Sequence, residues 1–220
     1  MTIRDPIRLI YCADGNKRFA EIAIEAGFLY GARLPARGLH FPIYFADQDW
    51  QKPDRARYLA ELAVHRPQLA TVLDWERTEQ LVDLLAWAED AAAHVDEVVI
   101  IPKVFEGIKK LPRQIGGKRV RLGYSIPTQY GGTQTPVWEF YGWPVHLLGG
   151  SPKRQMEIAH YLNVISADGN YAQMMAVKYN EFWLDGNWRE LKDYGGEIKQ
   201  DAPYKAFRRS CENIMKMWGY

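Results

Sequence analysis

The stretch VHLLGGSPKRQMEIAHYLNVISADGN (145–170) has the pattern of a strand, a helix and a second strand. Its first part, VHLLGG (145–150), is a short apolar run typical of a buried strand. Ser151 and Pro152 then have the residue types favoured at the N-cap and at the first position of a helix. A second apolar run, NVISAD (163–168), follows that helix. A strand, a helix and another strand in this order predict two parallel strands joined by a helical crossover.

The same alternation extends over most of the chain. Further short runs, rich in β-branched or aromatic residues, are IRLIYC (7–12), PIYFA (42–46), LATVLD (69–74), EVVIIPK (97–103) and VRLGYSI (120–126). Most of them are continuous rather than alternating, which favours a parallel sheet covered on both faces. Helical patterns lie over 17–26, 53–66 and 76–94, and a final helix is predicted over 203–219.

Seven strand–helix alternations without a linker predict one α/β domain over residues 1–220, in which 181–220 form a loop-rich and helical C-terminal extension. A doubly wound sheet and an α/β barrel both fit this pattern. Seven or eight units in one continuous domain favour the barrel. Barrels of this kind usually have ~250 residues. Because this chain has 220, we expect a compact or incomplete TIM-like (β/α)8 barrel.

The composition indicates a globular protein without a structural zinc site, and we expect no cofactor. Hydrophobic residues make up 47% of the chain and the net charge is +1, so a sizeable core is expected and charge alone favours no polyanionic partner. Two cysteines, Cys12 and Cys211, exclude a disulfide framework and a Cys-rich zinc cluster, and the five histidines lack metal-ligand spacing. The opening MTIRDPIRLIYC is too charged for a signal peptide, and no run approaches the ~18 apolar residues of a membrane span. We therefore expect a soluble, cytoplasmic protein with no membrane partner.

Four carboxylates follow predicted strands, namely Asp14, Asp47, Asp74 and Asp168. The first and the last lie in the repeated tetrapeptide ADGN. Since the carboxyl ends of parallel strands face one rim, we expect all four to open onto one pocket. An Asp after a strand often serves only as an N-cap, but four beside glycine-rich loops exceed what capping requires. The cluster predicts acid/base or nucleophilic chemistry at a sugar carbon, with a Mg²⁺ site as the competing use.

Several blocks resemble the tRNA-guanine transglycosylase superfamily. They are PIYFADQDW (42–50), ATVLDWE (70–76), LGYSIPTQYGG (122–132) and the stretch from WPVHLLGG to SADGN (143–170), in the order of that family. The set is most similar to the short, phage-associated DNA-guanine transglycosylases. The tRNA enzymes hold a structural zinc with Cys and His, which two distant cysteines cannot provide, and the chain has no room for their extra RNA-binding domain. Both departures imply DNA as the partner. A third departure from the family pattern is that Asp47 is followed by Gln-Asp-Trp, and not by the Ser-Gly-Gly turn of the family.

The resemblance implies that guanine in DNA is replaced by a preQ0-like 7-deazaguanine base without strand cleavage. Asp168 would attack C1′ of the sugar to form a covalent intermediate, Asp47 would act as general acid/base, and Asp74 would bind the guanine-like base. Further substrate-binding residues are expected around the same pocket: Asp14, Gln48, Lys103, Tyr124, Ser125, Gln129, Gly149 and Gly150. Tyr130 is the alternative to Tyr124 for stacking on the base.

Local positive charge is expected to bind the DNA phosphates. The candidates are Lys109, Lys110, Arg113 and Lys118 in one loop-rich segment and Arg208 and Arg209 in the final helix. The alternative for each is a solvated loop or an ordinary amphipathic helix. Two other functions are compatible with the sequence. One is a barrel hydrolase that uses Asp47 and Asp168 with water as the acceptor on a nucleoside or glycoside. The other is a non-catalytic nucleic-acid-binding barrel.

Overall fold

Eight short strands pair in parallel and close into a barrel. The computed structural model describes residues 6–13, 15–129, 131–192 and 201–220. The barrel strands are β1 (Arg8–Cys12), β2 (Leu29–Leu34), β3 (Phe45–Gln48), β4 (Leu69–Thr71), β5 (Glu97–Ile100), β7 (Lys118–Ser125), β8 (Pro144–Leu148) and β9 (Asn163–Gly169). Pairing of β1 with β9 and of β5 with β7 closes the ring. The predicted TIM-like barrel is therefore confirmed, and its strand layer is complete.

The helical layer around this barrel is partial, which explains how the fold fits a short chain. The helices are α1 (Lys17–Glu25), α2 (Arg55–His65), α3 (Leu81–Ala92), α4 (Pro152–Ala159), α5 (Tyr171–Tyr179) and α6 (Ala202–Met217). Residues 35–44, between β2 and β3, are all described and contain no helix. The connection from β5 to β7 contains a 3₁₀ turn at Ile108–Lys110, and the connection from β7 to β8 contains one at Val137–Phe140. The short strand β6 (Gln114–Ile115) pairs antiparallel with the start of β7.

Short polar residues begin several of the helices, as the sequence pattern indicates. The Asn16 side chain accepts from the backbone N–H of Arg18 and Phe19, and thereby caps α1. Ser151 caps α4 by accepting from the Arg154 N–H, with Pro152 as the first helical residue. These caps satisfy backbone donors that would otherwise lack partners at the helix starts.

The apolar residues of the strands form two cores. The larger one lies between the strands and the surrounding helices. The smaller one fills the inside of the barrel and consists of Ile10, Phe45, Leu69, Val99 and Ile101, all of them buried. Burying one such side chain contributes about 1.5–3 kcal/mol relative to leaving it exposed. The continuous apolar runs of the sequence thus correspond to strands that are covered on both faces.

Strand β2 was not among the seven predicted runs. Gly31 and the exposed Arg33 interrupt its apolar character, and the strand begins soon after α1 ends. Gly31 is required there, because a Cβ would lie 2.9 Å from the Ile10 side chain and 3.1 Å from that of Phe45. Strand β3 also lies later than predicted, at Phe45–Gln48 instead of 42–46. The shift matters because it brings Asp47 into the strand itself.

The C-terminal segment forms a hairpin and a helix outside the barrel. The hairpin consists of β10 (Glu181–Leu184) and β11 (Asn187–Glu190), and α6 packs against α1, α5 and β10. Phe207 of α6 contacts Phe19 and Tyr11, with ring centroids 5.2 and 5.4 Å apart. The final helix was predicted, whereas the hairpin was not. Among the helices of the described residues, none combines the length and apolar character needed to cross a membrane.

Candidate active site

A pocket of about 630 Å³ opens at the carboxyl end of the barrel. Every barrel strand, or the residues directly after it, contributes to its wall. The structure brings together seven of the predicted site residues here: Asp47, Asp74, Lys103, Ser125, Gly149, Gly150 and Asp168. This end of the barrel is where enzymes of this architecture carry their catalytic residues.

Asp47 lies on the inner side of β3 and has an unusual protonation equilibrium. Burial, and next the negative charge of Asp168, raise its pKa to about 7. The hydroxyl of Thr71 donates to Asp47 Oδ1 over 3.1 Å, and this bond and the charge of Arg33 oppose the rise. Thr71 Oγ1 also accepts from the Gln48 N–H over 2.8 Å, which fixes the hydroxyl. Asp47 can therefore both give and take a proton near neutral pH.

Asp168 lies at the end of β9 and is almost fully buried, with 9% of the residue exposed. Its Oδ1 atom is buried and lies 3.3 Å from Nε2 of His146. Gln155 of α4 donates from its amide to the backbone oxygens of Asp168 and Gly149, over 2.8 and 3.0 Å. The strand end and the glycine turn beside it are therefore held together by one buried side chain.

Asp74 forms an ion pair with Lys103 on the opposite wall of the pocket. Lys103 Nζ lies 2.7 Å from Asp74 Oδ2 and 2.9 Å from Oε1 of the more exposed Glu76. Burial raises the pKa of Asp74, and the hydrogen bond and charge of Lys103 only partly offset it. Burial lowers the pKa of Lys103, but its bonds to the two carboxylates outweigh this and raise it. The pair thus presents a carboxylate acceptor and an ammonium donor side by side.

The loop after β7 and the glycine turn after β8 form a third wall. Ser125 and Thr133 hold the loop to the strand, because the Ser125 N–H donates to Thr133 Oγ1 over 3.1 Å. Gly150 has a φ of +77° and lies against Ile126, where a Cβ would be 2.7 Å from Ile126 Cγ2. Only glycine allows this close approach, and it leaves backbone groups facing the pocket.

Three predicted substrate-binding residues do not line the pocket. Tyr124 points outward from β7 and packs against Phe140, with ring centroids 5.1 Å apart, so it belongs to the outer core. Gln48 also lies outside the pocket lining, with 3% of the residue exposed. Gln129 is exposed in the loop but does not reach the pocket. Asp14 and Tyr130 lie outside the described residues.

The six basic residues proposed for phosphate contacts, all of them described, lie away from the pocket lining. Lys118 begins β7, at the opposite end of the barrel, and lies 3.9 Å from Asp96. Arg113 donates to the Gly142 backbone oxygen and stacks on Trp143. Lys109 and Lys110 occupy an exposed 3₁₀ turn, Arg208 pairs with Glu25, and Arg209 lies over Phe182. The six residues are therefore spread over the outer surface of the protein, and none of them lines the pocket.

The family model described as a family of unknown function (DUF6610) matches residues 23–219. The chain belongs to this family. The matched region contains Asp47, Asp74 and Asp168, together with strands β2–β9 and the whole of the C-terminal helix α6. No curated protein shows significant sequence similarity to the chain. The family description assigns no activity, so the function of this DUF6610 protein has to be argued from the pocket itself.

Sequence reasoning missed four residues that shape the site of this DUF6610 protein. Arg33 and Trp50 line the pocket, Thr71 binds Asp47, and His146 lies beside Asp168. Arg33 was missed together with β2, although the run FLYGARL before Pro35 carries a detectable strand signal. Trp50, with 47% of the residue exposed, is within the FADQDW block and offers an aromatic face at the pocket mouth.

Acidic side chains of the pocket bind a hydroxyl group and an ammonium group. Within the part of the chain that the structure describes, His, Cys, Asp and Glu side chains form no group of three or more that could hold a metal ion. The two acidic clusters of the pocket have other partners, since Thr71 binds Asp47 and Lys103 binds Asp74 and Glu76. The arrangement is suited to proton transfer and to nucleophilic attack by a carboxylate.

Proposed function

We propose that this protein exchanges guanine in DNA for a 7-deazaguanine base through a covalent Asp168–sugar intermediate. The observation that carries the proposal is the pair formed by Asp47 and Asp168. One carboxyl has a pKa of about 7 and is influenced by the charge of the other, within the same pocket. A carboxyl that holds its proton near neutral pH is suited to general acid/base catalysis, and a second carboxyl in the same pocket is then available as the nucleophile.

In the first half-reaction, an Asp168 carboxylate oxygen attacks C1′ of the target nucleotide. A C1′–O bond forms, the C1′–N9 bond breaks, and its electron pair leaves with the base. Asp47, protonated, gives its proton to the departing guanine. The second half-reaction reverses these roles. Asp47 removes a proton from the incoming base, whose nitrogen attacks C1′ and displaces the Asp168 carboxylate.

The electrostatic coupling of the two carboxyls supports this change of role. Ester formation neutralises Asp168, and its charge is one of the causes of the raised Asp47 pKa. The pKa of Asp47 should therefore fall once the intermediate has formed. The carboxyl that gave its proton as an acid is then kept ionised, and so able to accept a proton, at the stage when a base is needed, as expected for double displacement at a sugar carbon.

The Asp74–Lys103 pair supports the choice of a guanine-like base. The base edge presents two adjacent N–H donors and, next to them, a carbonyl oxygen. A carboxylate accepts from the two donors, and an adjacent ammonium group donates to the carbonyl. The two side chains are already hydrogen-bonded at 2.7 Å, so donor and acceptor are held close together. Trp50 at the mouth would stack on the base or on its neighbour.

DNA is the proposed partner because the chain has too few cysteines for the zinc site of the tRNA enzymes it resembles. A base inside a duplex is shielded, so the target nucleotide must be extruded or single-stranded to enter the pocket. Arg33 is exposed on the pocket wall and pairs with Asp47 in the register of β2 against β3. It would face the sugar–phosphate backbone of the extruded nucleotide.

Incubation of the protein with guanine-containing DNA and isotopically labelled guanine tests the proposal. Base exchange predicts label in the DNA, without abasic sites and without strand breaks. Unlabelled DNA with abasic sites would identify a hydrolase instead. DNA that binds but remains chemically unchanged, with each of several 7-deazaguanine bases also supplied, would identify a binding protein.

A further inference from the structure

A histidine lies inside the barrel, one layer below Asp168. His146 of β8 is fully buried, and its ring centroid lies 4.5 Å from that of Phe45. The interior core at this level is otherwise made of apolar side chains such as Ile10 and Val99. Branched apolar residues usually fill these layers, and a buried imidazole is unfavourable unless its nitrogen atoms find partners. The partners of His146 therefore indicate why it is there.

Both partners of His146 come from the neighbouring strand β9. Its Nδ1 lies 2.8 Å from Oγ of Ser166, which is also fully buried. Its Nε2 lies 3.3 Å from Oδ1 of Asp168. Ser166 and Asp168 are two positions apart, so they occupy the same inner face of the strand. Among the described residues, neither Nε2 nor Oδ1 has a hydrogen-bond partner, although the two buried atoms lie only 3.3 Å apart.

The chemistry of the three groups determines where the proton lies. If Nδ1 carried the only proton, the Nε2 lone pair would face a carboxylate oxygen, and two acceptors would repel one another. If Nε2 carries it, Nε2–H faces Oδ1 and the Ser166 hydroxyl donates to the free Nδ1. Of these two neutral forms, only the second gives every donor an acceptor.

We infer that Ser166 and His146 form a buried relay that positions Asp168, in which the Ser166 hydroxyl donates to Nδ1 and His146 donates from Nε2 to Oδ1. The relay engages the inner carboxylate oxygen and leaves Oδ2 for the pocket, where the remaining 11% of the side chain is exposed. It moves no proton during the reaction. It fixes the direction of the nucleophile, and it stabilises the charge that returns to Asp168 when the intermediate breaks down.

Nuclear magnetic resonance of the ¹⁵N-labelled full chain tests the hydrogen-bond pattern without any assay of activity. At neutral pH, His146 should show a protonated Nε2 and an unprotonated Nδ1. Ser166→Ala removes the donor to Nδ1, and a fraction of the Nδ1–H form should then appear. A proton on Nδ1 in the unmodified protein, in either a neutral or a charged ring, would overturn the proposed relay.

Two substitutions of His146 test its role in the reaction, which rests on the proposed base exchange. His146→Gln retains an N–H donor near Oδ1, whereas His146→Leu fills the site without one. We expect His146→Leu to lower kcat by ~10²-fold at an unchanged KM for the incoming base, and His146→Gln to restore at least ~10-fold of that loss. Thermal melting of both variants verifies that the barrel remains folded.

Equal rates for His146→Leu and the unmodified protein, or no advantage of Gln over Leu, would refute the positioning role. Absence of exchange in the unmodified protein would instead refute the proposed function. The proton position measured by resonance would then still decide whether the relay exists.

Discussion

Asp168 raises the pKa of Asp47 from three strands away across the mouth of the barrel. Burial is the largest cause of the shift, and the charge of Asp168 is the next. The two carboxyls therefore behave as one electrostatic unit, in which the charge of one controls the proton of the other. This coupling is the basis of the proposed division into a nucleophile and an acid/base.

The raised pKa of Asp47 predicts a pH-dependent effect on stability. The folded protein holds the Asp47 proton up to about pH 7, whereas the unfolded chain releases it near the ordinary value of 3.8. The stabilising contribution is complete below that ordinary value and is lost as the pH rises through 7. The side chain introduced by Asp47→Asn cannot ionise, so the free energy of unfolding of this variant, relative to that of the unmodified protein, should rise by about 4 kcal/mol between pH 4 and pH 8.

Urea denaturation of both proteins at pH 4, 6 and 8 measures this difference. Glu89→Gln, on the exposed side of α3, serves as the control and should show no such trend. If the free energies of unfolding of Asp47→Asn and of the unmodified protein differ by the same amount at pH 4 and pH 8, Asp47 ionises normally in the folded protein.

Asp74→Asn should weaken binding of the incoming base. The amide places an N–H donor where the base also presents a donor, and Lys103 loses its closest partner. We expect the KM for the base to rise by roughly 10–100-fold, with a much smaller effect on kcat. The control is Glu76→Gln, because Glu76 also binds Lys103 but its side chain is 58% exposed. Equal effects of the two substitutions would exclude a special role of Asp74 in base recognition.

Trp50→Ala should reduce the affinity for single-stranded DNA. Stacking of one base on an aromatic side chain contributes ~1–3 kcal/mol, so a loss of about 10-fold or more is expected, and Trp50→Phe should restore most of it. Trp138 is the matched control, since it is also exposed, at 65%, but does not line the pocket. Fluorescence anisotropy with a labelled oligonucleotide gives both affinities. If Trp138→Ala weakens binding as much as Trp50→Ala, the DNA does not enter at the pocket mouth.

Gly123→Ala tests the packing of the barrel interior. A Cβ at this position would lie 2.6 Å from Ile101 Cγ1 and 2.8 Å from Leu148 Cδ1. Overpacking of this kind should destabilise the protein by about 1–3 kcal/mol. Gly38→Ala is the control, because no atom lies within 4 Å of its added Cβ, and its effect should be small. Unchanged stability of Gly123→Ala in urea denaturation would contradict the closed, filled barrel.

The sequence is most informative where a strand is continuous and apolar and a helix has a clear cap. The unit from β8 to β9 satisfies both conditions, and its bounds were predicted within a few residues. Strand β2 fails the first condition, because Gly31 makes room for the side chains of Ile10 and Phe45 and Arg33 lines the pocket. The local sequence does not reveal either requirement, because both depend on residues of the neighbouring strands.

The candidate site shows a similar division. The carboxylates at strand ends were predicted because parallel strands place such positions on one rim. Tyr124 and Gln48 were assigned to the pocket although each lies one position away from an inward-facing residue, and alternate residues of a strand point to opposite sides. The approach of His146 to Asp168 depends on the register of β8 against β9, which includes an irregularity after Val145. No sequence pattern indicates that register.

The most direct measurement is the mass of the protein after brief incubation with a guanine-containing oligonucleotide and rapid denaturation. The proposed mechanism predicts a covalent protein–DNA species from which guanine has been lost. Digestion should place the bond on Asp168, and added 7-deazaguanine base should discharge it. Asp168→Asn should bind the oligonucleotide but form no adduct, with base exchange lowered by ~10³-fold or more. An adduct on a different residue, or base exchange that persists in Asp168→Asn, would contradict the assignment of the nucleophile and the mechanism built on it.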